Sequence, residues 1–480
     1  MSSSDHEKDH KGGELGEAKT PVVVDEAAFK RALLKLDVIF LPVITLVYFL
    51  NFLDRSNIGN AKAAGLMEDL GINAKQYSIA LTVTYVPYIA AELPLTLAIK
   101  KVGPNILIPT LVVAWGLVTT FQGFIHNYEG LLAARFFLGA TEGAILPSSM
   151  TYLSNFYRRA DMGKRVAFFF SATSLAGAFS GLLAAALINM DGLGGKKGWA
   201  WIFIIEGLFT VVCGFATFFV LPRTPGTAWW LTPEERAALV AALERDAPLA
   251  EQREKLTLAA CVSALKAPQV WLMFLQFFAS GAMLYAMAFF SPTIVGSLGY
   301  KGTKVQLMSV PPFVASAAFA LMCCWASDRL KMRGPFVILA ALVSVVGYAM
   351  YRGSEDKHVR YGALFLQVMG AYTVAPLQST WMPNNLAPFY RRVTGITMGF
   401  ISTNSGGILS TWLFPKPPFN KGTDVLLALS ASIVLWAGLN MAYLGYENKK
   451  RARAGGYEGD KAPGDDGVPG DRSVHYRYIL

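Results

Sequence analysis

Twelve apolar runs, each close to the length of a membrane-crossing helix, constrain this chain more than any other feature of its sequence. A helix needs about 20 mainly apolar residues to cross the hydrocarbon core, where every backbone polar group must be hydrogen-bonded internally. The runs begin near Leu36, Tyr77, Asn105, Glu129, Lys164, Trp199, Pro268, Val305, Pro335, Tyr361, Val393 and Asp424. They predict an all-α membrane protein with twelve transmembrane helices.

The composition excludes several other classes of protein. Only 16% of the 480 residues are charged, whereas a soluble globular domain has roughly 25%. The formal net charge of +10 comes mainly from connections and tails, which is typical of membrane topology. We therefore expect no nucleic-acid partner, and the four cysteines have neither metal-ligand nor disulfide spacing.

Similar sequence elements recur in the two halves of the chain at a nearly constant separation. Gly103-Pro104 matches Gly334-Pro335, Gly139-Ala140 matches Gly370-Ala371, and Phe156-Tyr157-Arg158-Arg159 matches Phe389-Tyr390-Arg391-Arg392. Parallel six-helix repeats around a central cavity are typical of one class of secondary transporter. The expected organisation is a disordered tail at 1–35, a six-helix bundle at 36–222, a linker at 223–267, a second bundle at 268–448 and a disordered tail at 449–480.

The linker contains the sequence pattern of a helix start, and the distribution of basic residues predicts how the protein is oriented in the membrane. Thr232, Pro233 and Glu235 form a capping box, which predicts a short amphipathic helix that tethers the two halves. Basic residues cluster in connections on one side, which the positive-inside rule assigns to the cytoplasm. We expect both termini to be cytoplasmic. We also expect the protein to reside in the plasma membrane, where its outer helix faces contact lipid.

The fourth apolar run carries two charges. At about 3.6 residues per turn, Arg135, Gly139, Glu142 and Gly143 share one face of a predicted helix over 134–147. A charge at the centre of a membrane helix costs roughly 2.5 to 3.5 kcal/mol, so it normally faces a protein interior or a watery cavity. The pair predicts a functional site, and an architectural ion pair is the alternative.

Asp54 and Arg55 form a second charged pair. The first helix could end near Ser56, or it could continue through the small residues up to Gly65; we expect the longer helix, because small residues allow close helix packing. Consecutive residues point about 100° apart. One of the two side chains could therefore hold a neighbouring helix while the other faces the cavity.

Several motifs resemble those of the major facilitator superfamily. Arg135-x-x-x-Gly139-x-x-x-Gly143 resembles its fourth-helix motif, and Asp328-Arg329 with Arg333 resembles its loop motif between helices eight and nine. The likeness covers the chain from Leu36 to Tyr446. It implies alternating access between two bundles, with Asp328, Arg329 and Arg333 in a gating role.

Within that superfamily the chain is similar to the anion:cation symporter family, and most similar to its fungal allantoate permease branch. The similarity lies in the segments 51–61, 199–207 and 221–225. Members of the branch carry allantoate, nicotinate, biotin, pantothenate and related carboxylates. The resemblance implies substrate binding by Arg55, Arg135, Trp381 and Asn404, and proton coupling by Asp54 and Glu142.

Two further carboxyl groups lie within apolar runs. Glu92 falls in the second run and Glu206 in the sixth. Each could make a helix-end or interhelical hydrogen bond, or each could belong to a proton path.

The expected function is proton-coupled symport of a small organic carboxylate by alternating access. A monomer driven by the proton gradient, with no cofactor or metal, is expected to suffice. The alternatives are export of an acidic metabolite, a transporter-like receptor and a membrane enzyme. An enzyme would need a catalytic histidine or a metal cluster at a span end, and the sequence provides neither.

Overall fold

The computed structural model describes residues 25–246, 258–387, 389–414, 417, 419–455 and 470–480. Within these ranges the chain is helical and contains no β-strand. The helices are α1 (Glu26–Lys35), α2 (Leu41–Ala63), α3 (Leu66–Asp69), α4 (Ala74–Val102), α5 (Pro104–Gln122), α6 (Tyr128–Glu142), α7 (Ile145–Ser154), α8 (Arg159–Leu187), α9 (Gly198–Val220), α10 (Pro233–Asp246), α11 (Leu258–Leu265), α12 (Pro268–Ser297), α13 (Thr303–Leu330), α14 (Gly334–Gly353), α15 (Lys357–Asn384), α16 (Phe389–Ser410) and α17 (Asn420–Arg453). A π-helical turn, Leu36–Phe40, joins α1 to α2, and short 3₁₀ turns lie at Ile188–Met190, Leu193–Gly195, Pro225–Thr227 and Gly470–Arg472.

The predicted twelve spans correspond to α2, α4, α5, α6 with α7, α8 and α9 in the first half and to α12 through α17 in the second. In the described part of the chain, nine helices are long and apolar enough to cross a membrane by themselves. The remaining three spans are the interrupted α6–α7 unit and the helices α15 and α16. The predicted fold class is confirmed.

The two halves repeat the same packing scheme. In the first half α2 packs along α8, α4 against α6, and α5 along α9. In the second half the helices at equivalent positions pair in the same way: α12 with α16, α13 with α15, and α14 with α17. The matching anchors also have matching places, because Pro104 and Pro335 both lie in the first turn of a helix.

Small residues allow the halves to approach closely. A side chain added at Gly59 of α2 would reach the backbone carbonyl carbon of Phe289 in α12, at 3.0 Å. Next to it, the Gln306 amide donates to the Asn60 carbonyl oxygen at 3.2 Å. The longer first helix is therefore confirmed, and its small residues pack as the sequence predicts.

The fourth span is not one continuous helix. The sequence predicts a helix over 134–147, but α6 ends at Glu142 and α7 begins at Ile145. Pro147 has no N–H group, so it cannot donate to the carbonyl of Gly143 as a continuous helix would require. Glu142 consequently lies at a break in the span.

The glycines of this span explain its close fit to α4. A side chain at Gly139 would meet the backbone carbonyl carbon of Thr84 at 2.9 Å, and one at Gly143 would meet the Cα of Tyr88 at 3.1 Å. Gly139 and Gly143 lie about one helical turn apart along the fourth span, as Thr84 and Tyr88 do along α4. Glycine is required at both positions, because the backbone of the fourth span lies directly against the backbone of α4 and leaves no room for a side chain.

The linker helix and the chain ends lie at one end of the bundle, which we call the terminal face. In the predicted capping box, the Thr232 amide donates to Glu235 at 2.9 Å and the Glu235 amide donates to the Thr232 hydroxyl at 3.3 Å. The resulting helix α10 packs against α1. Lys35 Nζ lies 2.7 Å from Glu235 Oε2 and fixes that contact.

The ends of the chain differ from the expected disordered tails at 1–35 and 449–480. Helix α1 begins at Glu26, and α17 continues to Arg453. Residues 470–480, which we call the return segment, pack back against the second half. Residues 1–24 and 456–469 lie outside the described part of the chain.

Candidate functional site

Arg55 lies between the two halves. It is only 7% exposed, and its Nε atom lies 3.4 Å from Glu142 Oε2 at the break in the fourth span. Its Nη1 atom donates to the hydroxyl of Tyr285 in α12, and its guanidinium carbon lies 4.5 Å from the ring centre of Tyr88. Arg55 therefore connects α6 of the first half to α12 of the second.

The hydrogen bonds continue beyond Tyr285. Its hydroxyl donates to Asn404 Oδ1 at 3.3 Å, and Asn404 Nδ2 donates to Glu92 Oε2 at 3.4 Å. Glu142, Arg55, Tyr285, Asn404 and Glu92 thus form one chain of polar contacts, which we call the central cluster. Because the chain passes into the second half and returns to the first, any relative movement of the halves must alter it.

Asp54 does not join the central cluster. Its Oδ2 atom accepts from Trp115 Nε1 at 2.7 Å and from the Thr119 hydroxyl at 3.3 Å, both on α5. This arrangement follows from the angle of about 100° between consecutive helical residues. Asp54 holds the neighbouring helix, while Arg55 faces the interface between the halves.

Arg135 is buried without a full set of partners. It is 2% exposed, and in the described residues its Nε and Nη2 atoms have no hydrogen-bond partner. Its guanidinium carbon lies 5.8 Å from the ring centre of Phe203, and Glu142 and Asp54 lie within electrostatic range. Among the described ion pairs Glu142 pairs with Arg55 of α2 rather than with Arg135 of its own helix.

Glu206 belongs to a separate polar group. It accepts a hydrogen bond from the side-chain amide of Asn57, and Asn57 in turn accepts from Ser180 at 3.2 Å. The group joins α9, α2 and α8. Of the two alternatives for Glu206, the interhelical hydrogen bond is present, and the proton path stays a prediction.

The two residues assigned to the cavity by resemblance lie in different places. Asn404 belongs to the central cluster. Trp381 does not: it is fully buried at the terminal face, where its Nε1 atom donates to the Ile479 carbonyl at 2.9 Å. Trp381 therefore contacts the return segment and lies apart from the central cluster, and its assignment to substrate binding stays a prediction.

The three predicted gating residues do not all contact one another. Asp328 pairs with Arg333, whose Nη1 atom donates to the Ser327 hydroxyl at 3.1 Å. A side chain at Gly163 in α8 would lie 3.6 Å from Asp328, so this pair faces the other half across the terminal face. Arg329 instead stacks on the ring of Trp325, at 5.6 Å.

Tyr88 and Tyr285 lie beside Arg55, although the sequence alone offers them only as possible substrate donors that more often pack. Tyr285 lies with its ring centre 5.5 Å from that of Tyr85 and 6.4 Å from that of Phe52. Aromatic residues are common in membrane spans and usually pack, so residue type alone carries no signal. The role of Tyr285 becomes visible only when α12 is docked against α2.

Comparison with known proteins identifies the family. A model of the Major Facilitator Superfamily matches residues 44–411. The chain belongs to the major facilitator superfamily. An uncharacterized transporter of Schizosaccharomyces pombe is 37% identical over 456 residues, which cover 93% of this chain and 90% of the relative. This chain is also 30% identical over 427 residues to the high-affinity nicotinic acid transporter of Saccharomyces cerevisiae. That match covers 88% of this chain and 79% of that protein.

Solved structures of the superfamily share the fold. A proton:xylose symporter, XylE, bound to 6-bromo-6-deoxy-D-glucose, matches with a TM-score of 0.65 at 14% sequence identity. The match covers 84% of this chain and 95% of that one. The protein is an integral membrane transporter of small molecules and not an enzyme.

Proposed function

We propose that this transporter carries a small organic carboxylate together with a proton, by alternating access. The observation that supports it most is Arg55, buried between the halves and bonded to both of them. The proposal includes membership of the anion:cation symporter family, in its fungal allantoate permease-like branch. It also includes a monomer in the plasma membrane with cytoplasmic termini, driven by the proton gradient without a cofactor.

Two buried guanidinium groups favour an anionic substrate. Arginine remains charged at any working pH, and its planar donors match a carboxylate bidentately. Arg135 offers two donors that have no partner among the described residues. A buried charge without a partner is costly, so a substrate carboxylate at this position would be stabilised.

The rings around Arg55 favour a flat substrate. The ring centre of Tyr88 lies 4.5 Å, and that of Tyr285 5.2 Å, from its guanidinium carbon. An aromatic acid could place its carboxylate on the arginine and its ring among these side chains. The similarity to a nicotinic acid transporter makes nicotinate the first probe to use.

Glu142 couples the proton to the substrate in this proposal. In the present arrangement it is the carboxylate partner of Arg55. When Glu142 takes up a proton, Arg55 becomes available to the substrate carboxylate, so the arginine has one anionic partner at each stage. Asp54, within electrostatic range of Glu142, is the second proton-coupling group.

Binding measurements on purified protein test the anion site. Isothermal calorimetry should detect nicotinate but not its neutral isostere nicotinamide. Arg55→Ala and Arg135→Ala should each weaken nicotinate binding roughly 10- to 100-fold, the effect of losing charge-assisted hydrogen bonds. Arg329→Ala, which removes an arginine that stacks on Trp325, is the matched control and should bind normally.

Two results would contradict the anion site. One is normal nicotinate affinity in both arginine variants, and the other is equal affinity for nicotinamide in the unmodified protein. If nicotinate itself does not bind, the same comparison applies to biotin, pantothenate and allantoate as probes.

A further inference from the structure

Two asparagines bind the backbone of the return segment in the manner of a neighbouring β-strand. Asn448 donates to the Tyr478 carbonyl and accepts from the Tyr478 amide, both at 2.9 Å. Asn385 donates to the Ile479 carbonyl at 2.9 Å and accepts from the Ile479 amide at 2.8 Å. A side-chain amide can satisfy both backbone groups of one residue only in a fixed register, so the segment is held in one position.

Arg451 fixes the same segment from α17. Its Nη1 atom donates to the Tyr476 carbonyl at 2.8 Å, and its Nη2 atom donates to the Tyr478 hydroxyl at 2.9 Å. The Tyr478 ring lies 4.3 Å from the guanidinium carbon. Upstream, Asp471 is fully buried with its carboxylate 3.0 Å from Arg391 Nε, so the segment is anchored at both ends.

The last residues of the return segment reach Arg333, one of the predicted gating residues. Trp381 donates to the Ile479 carbonyl at 2.9 Å, and the backbone amide of Arg333 donates to the Leu480 carbonyl at 2.6 Å. Arg333 is the residue whose side chain pairs with Asp328, next to Gly163 of the other half. The return segment therefore contacts a residue of the ion pair that lies where the second half approaches Gly163 of α8.

We propose that the cleft formed by Arg333, Trp381, Asn385, Asn448 and Arg451 is a docking site for residues Tyr476–Leu480, and that its occupation holds the terminal-face gate closed. The reason is that the segment supplies hydrogen-bond acceptors to polar side chains of the cleft. Trp381, Asn385 and Arg451 are buried and offer side-chain donors that pair with the segment, and buried polar groups left without partners destabilise the state that contains them. An occupied cleft thus stabilises the arrangement in which Arg333 meets Asp328. This inference does not depend on the substrate or on proton coupling.

A peptide-binding experiment tests the docking site. A chain that ends at His475 should bind fluorescent Tyr-Arg-Tyr-Ile-Leu peptide saturably, as measured by anisotropy, whereas the full chain, whose cleft is filled, should not. A peptide N-methylated at the second tyrosine cannot donate to Asn448 and should bind roughly 10-fold more weakly. Replacing the arginine with alanine is the control, because Arg477 is exposed and its loss should leave affinity unchanged.

The docking site would be overturned by the absence of saturable binding to the shortened chain. Equal affinity for the N-methylated peptide would also overturn it, because the asparagine contact would then contribute nothing. These experiments use the shortened protein and the full chain without any change in the cleft, so misfolding of a cleft variant cannot confuse them.

Cysteine labelling tests the effect on the gate. The nearest atom to a side chain at Gly163 is 3.6 Å away, so Gly163→Cys should be tolerated. Maleimide labelling of this cysteine should be several-fold faster in the chain that ends at His475, and saturating peptide should restore the slow rate. The parent protein with Gly163 corrects for native cysteines, and a labelling rate unaffected by shortening would overturn the proposed effect on the gate.

Discussion

In the proposed mechanism, Arg55 joins substrate binding to the conformation of the protein. A guanidinium has five donors, and Glu142 and Tyr285 occupy two of them from opposite halves. The separation from Glu142, 3.4 Å, is longer than the 2.7 to 2.9 Å of a strong charge-assisted hydrogen bond. A substrate carboxylate can therefore compete for this arginine.

Tyr285→Phe tests whether the tyrosine hydroxyl positions Arg55. The variant keeps the packed ring and loses the hydrogen bonds to Arg55 and Asn404. We expect substrate affinity to fall roughly 10-fold, with proton-driven uptake retained and the KM rather than the maximal rate affected. Tyr348→Phe is the matched control, because that buried hydroxyl has no hydrogen-bond partner among the described residues. Equal KM values for the two variants would mean that Tyr285 only packs.

Sequence reasoning finds charged site residues more readily than neutral ones. Arg55, Arg135 and Glu142 stand out because a charge within a membrane span is costly and rare. A tyrosine costs much less to bury, so Tyr285 carries no comparable signal. Trp381 shows the opposite limit: the resemblance fixes its helix, whereas its neighbours depend on how the return segment docks, which brings the Ile479 carbonyl to its Nε1 atom.

At the scale of elements, hydropathy predicts the membrane-spanning helices. The features that it does not predict, the break in the fourth span and the docked return segment, depend on individual residues and their contacts. The twelve predicted runs recur as helical spans, because the lipid core requires internally bonded backbone. The break before Ile145 lies where Pro147 leaves the Gly143 carbonyl without its helical donor, and the docking of residues 470–480 uses Asn385 and Asn448, which lie upstream. Composition predicts disorder for the whole tail from 449 to 480, since that tail is rich in glycine, proline and aspartate.

The anchor between α1 and α10 should depend on pH. Burial alone raises the pKa of Glu235, but hydrogen bonds from Lys35 and Thr232 outweigh it, and the net pKa lies below the usual 4.5. A lowered folded-state pKa stabilises the protein above the unfolded pKa, and this contribution is lost as the pH falls through the folded value. The anchor is therefore complete above about pH 4.5 and weakens below it.

Thermal unfolding of the purified protein measures this contribution. The melting temperature of the unmodified protein should exceed that of Glu235→Gln near neutral pH, and the difference should shrink as the pH falls below 4.5. Glu234→Gln removes an exposed carboxylate from the same helical turn and should leave the melting temperature unchanged. A difference between the unmodified protein and Glu235→Gln that is constant with pH would show that the ionised carboxylate is not what holds α1.

At the scale of the whole molecule, the central cluster lies where the two halves meet. It links α2, α4 and α6 of the first half to α12 and α16 of the second. A substrate that takes over Arg55 must therefore change contacts between the halves, which is the link between binding and movement that alternating access requires. The proton on Glu142 is the step that makes this exchange possible in our proposal.

Uphill uptake into proteoliposomes under an inward proton gradient tests that step most directly. Glu142→Gln should abolish accumulation of labelled nicotinate above its external concentration while substrate counterflow continues, because the variant can bind substrate but cannot exchange the proton. Glu129→Gln, the same substitution at an exposed position of α6, should accumulate substrate normally. Accumulation by Glu142→Gln at the rate of the unmodified protein would contradict the assignment of proton coupling to Glu142.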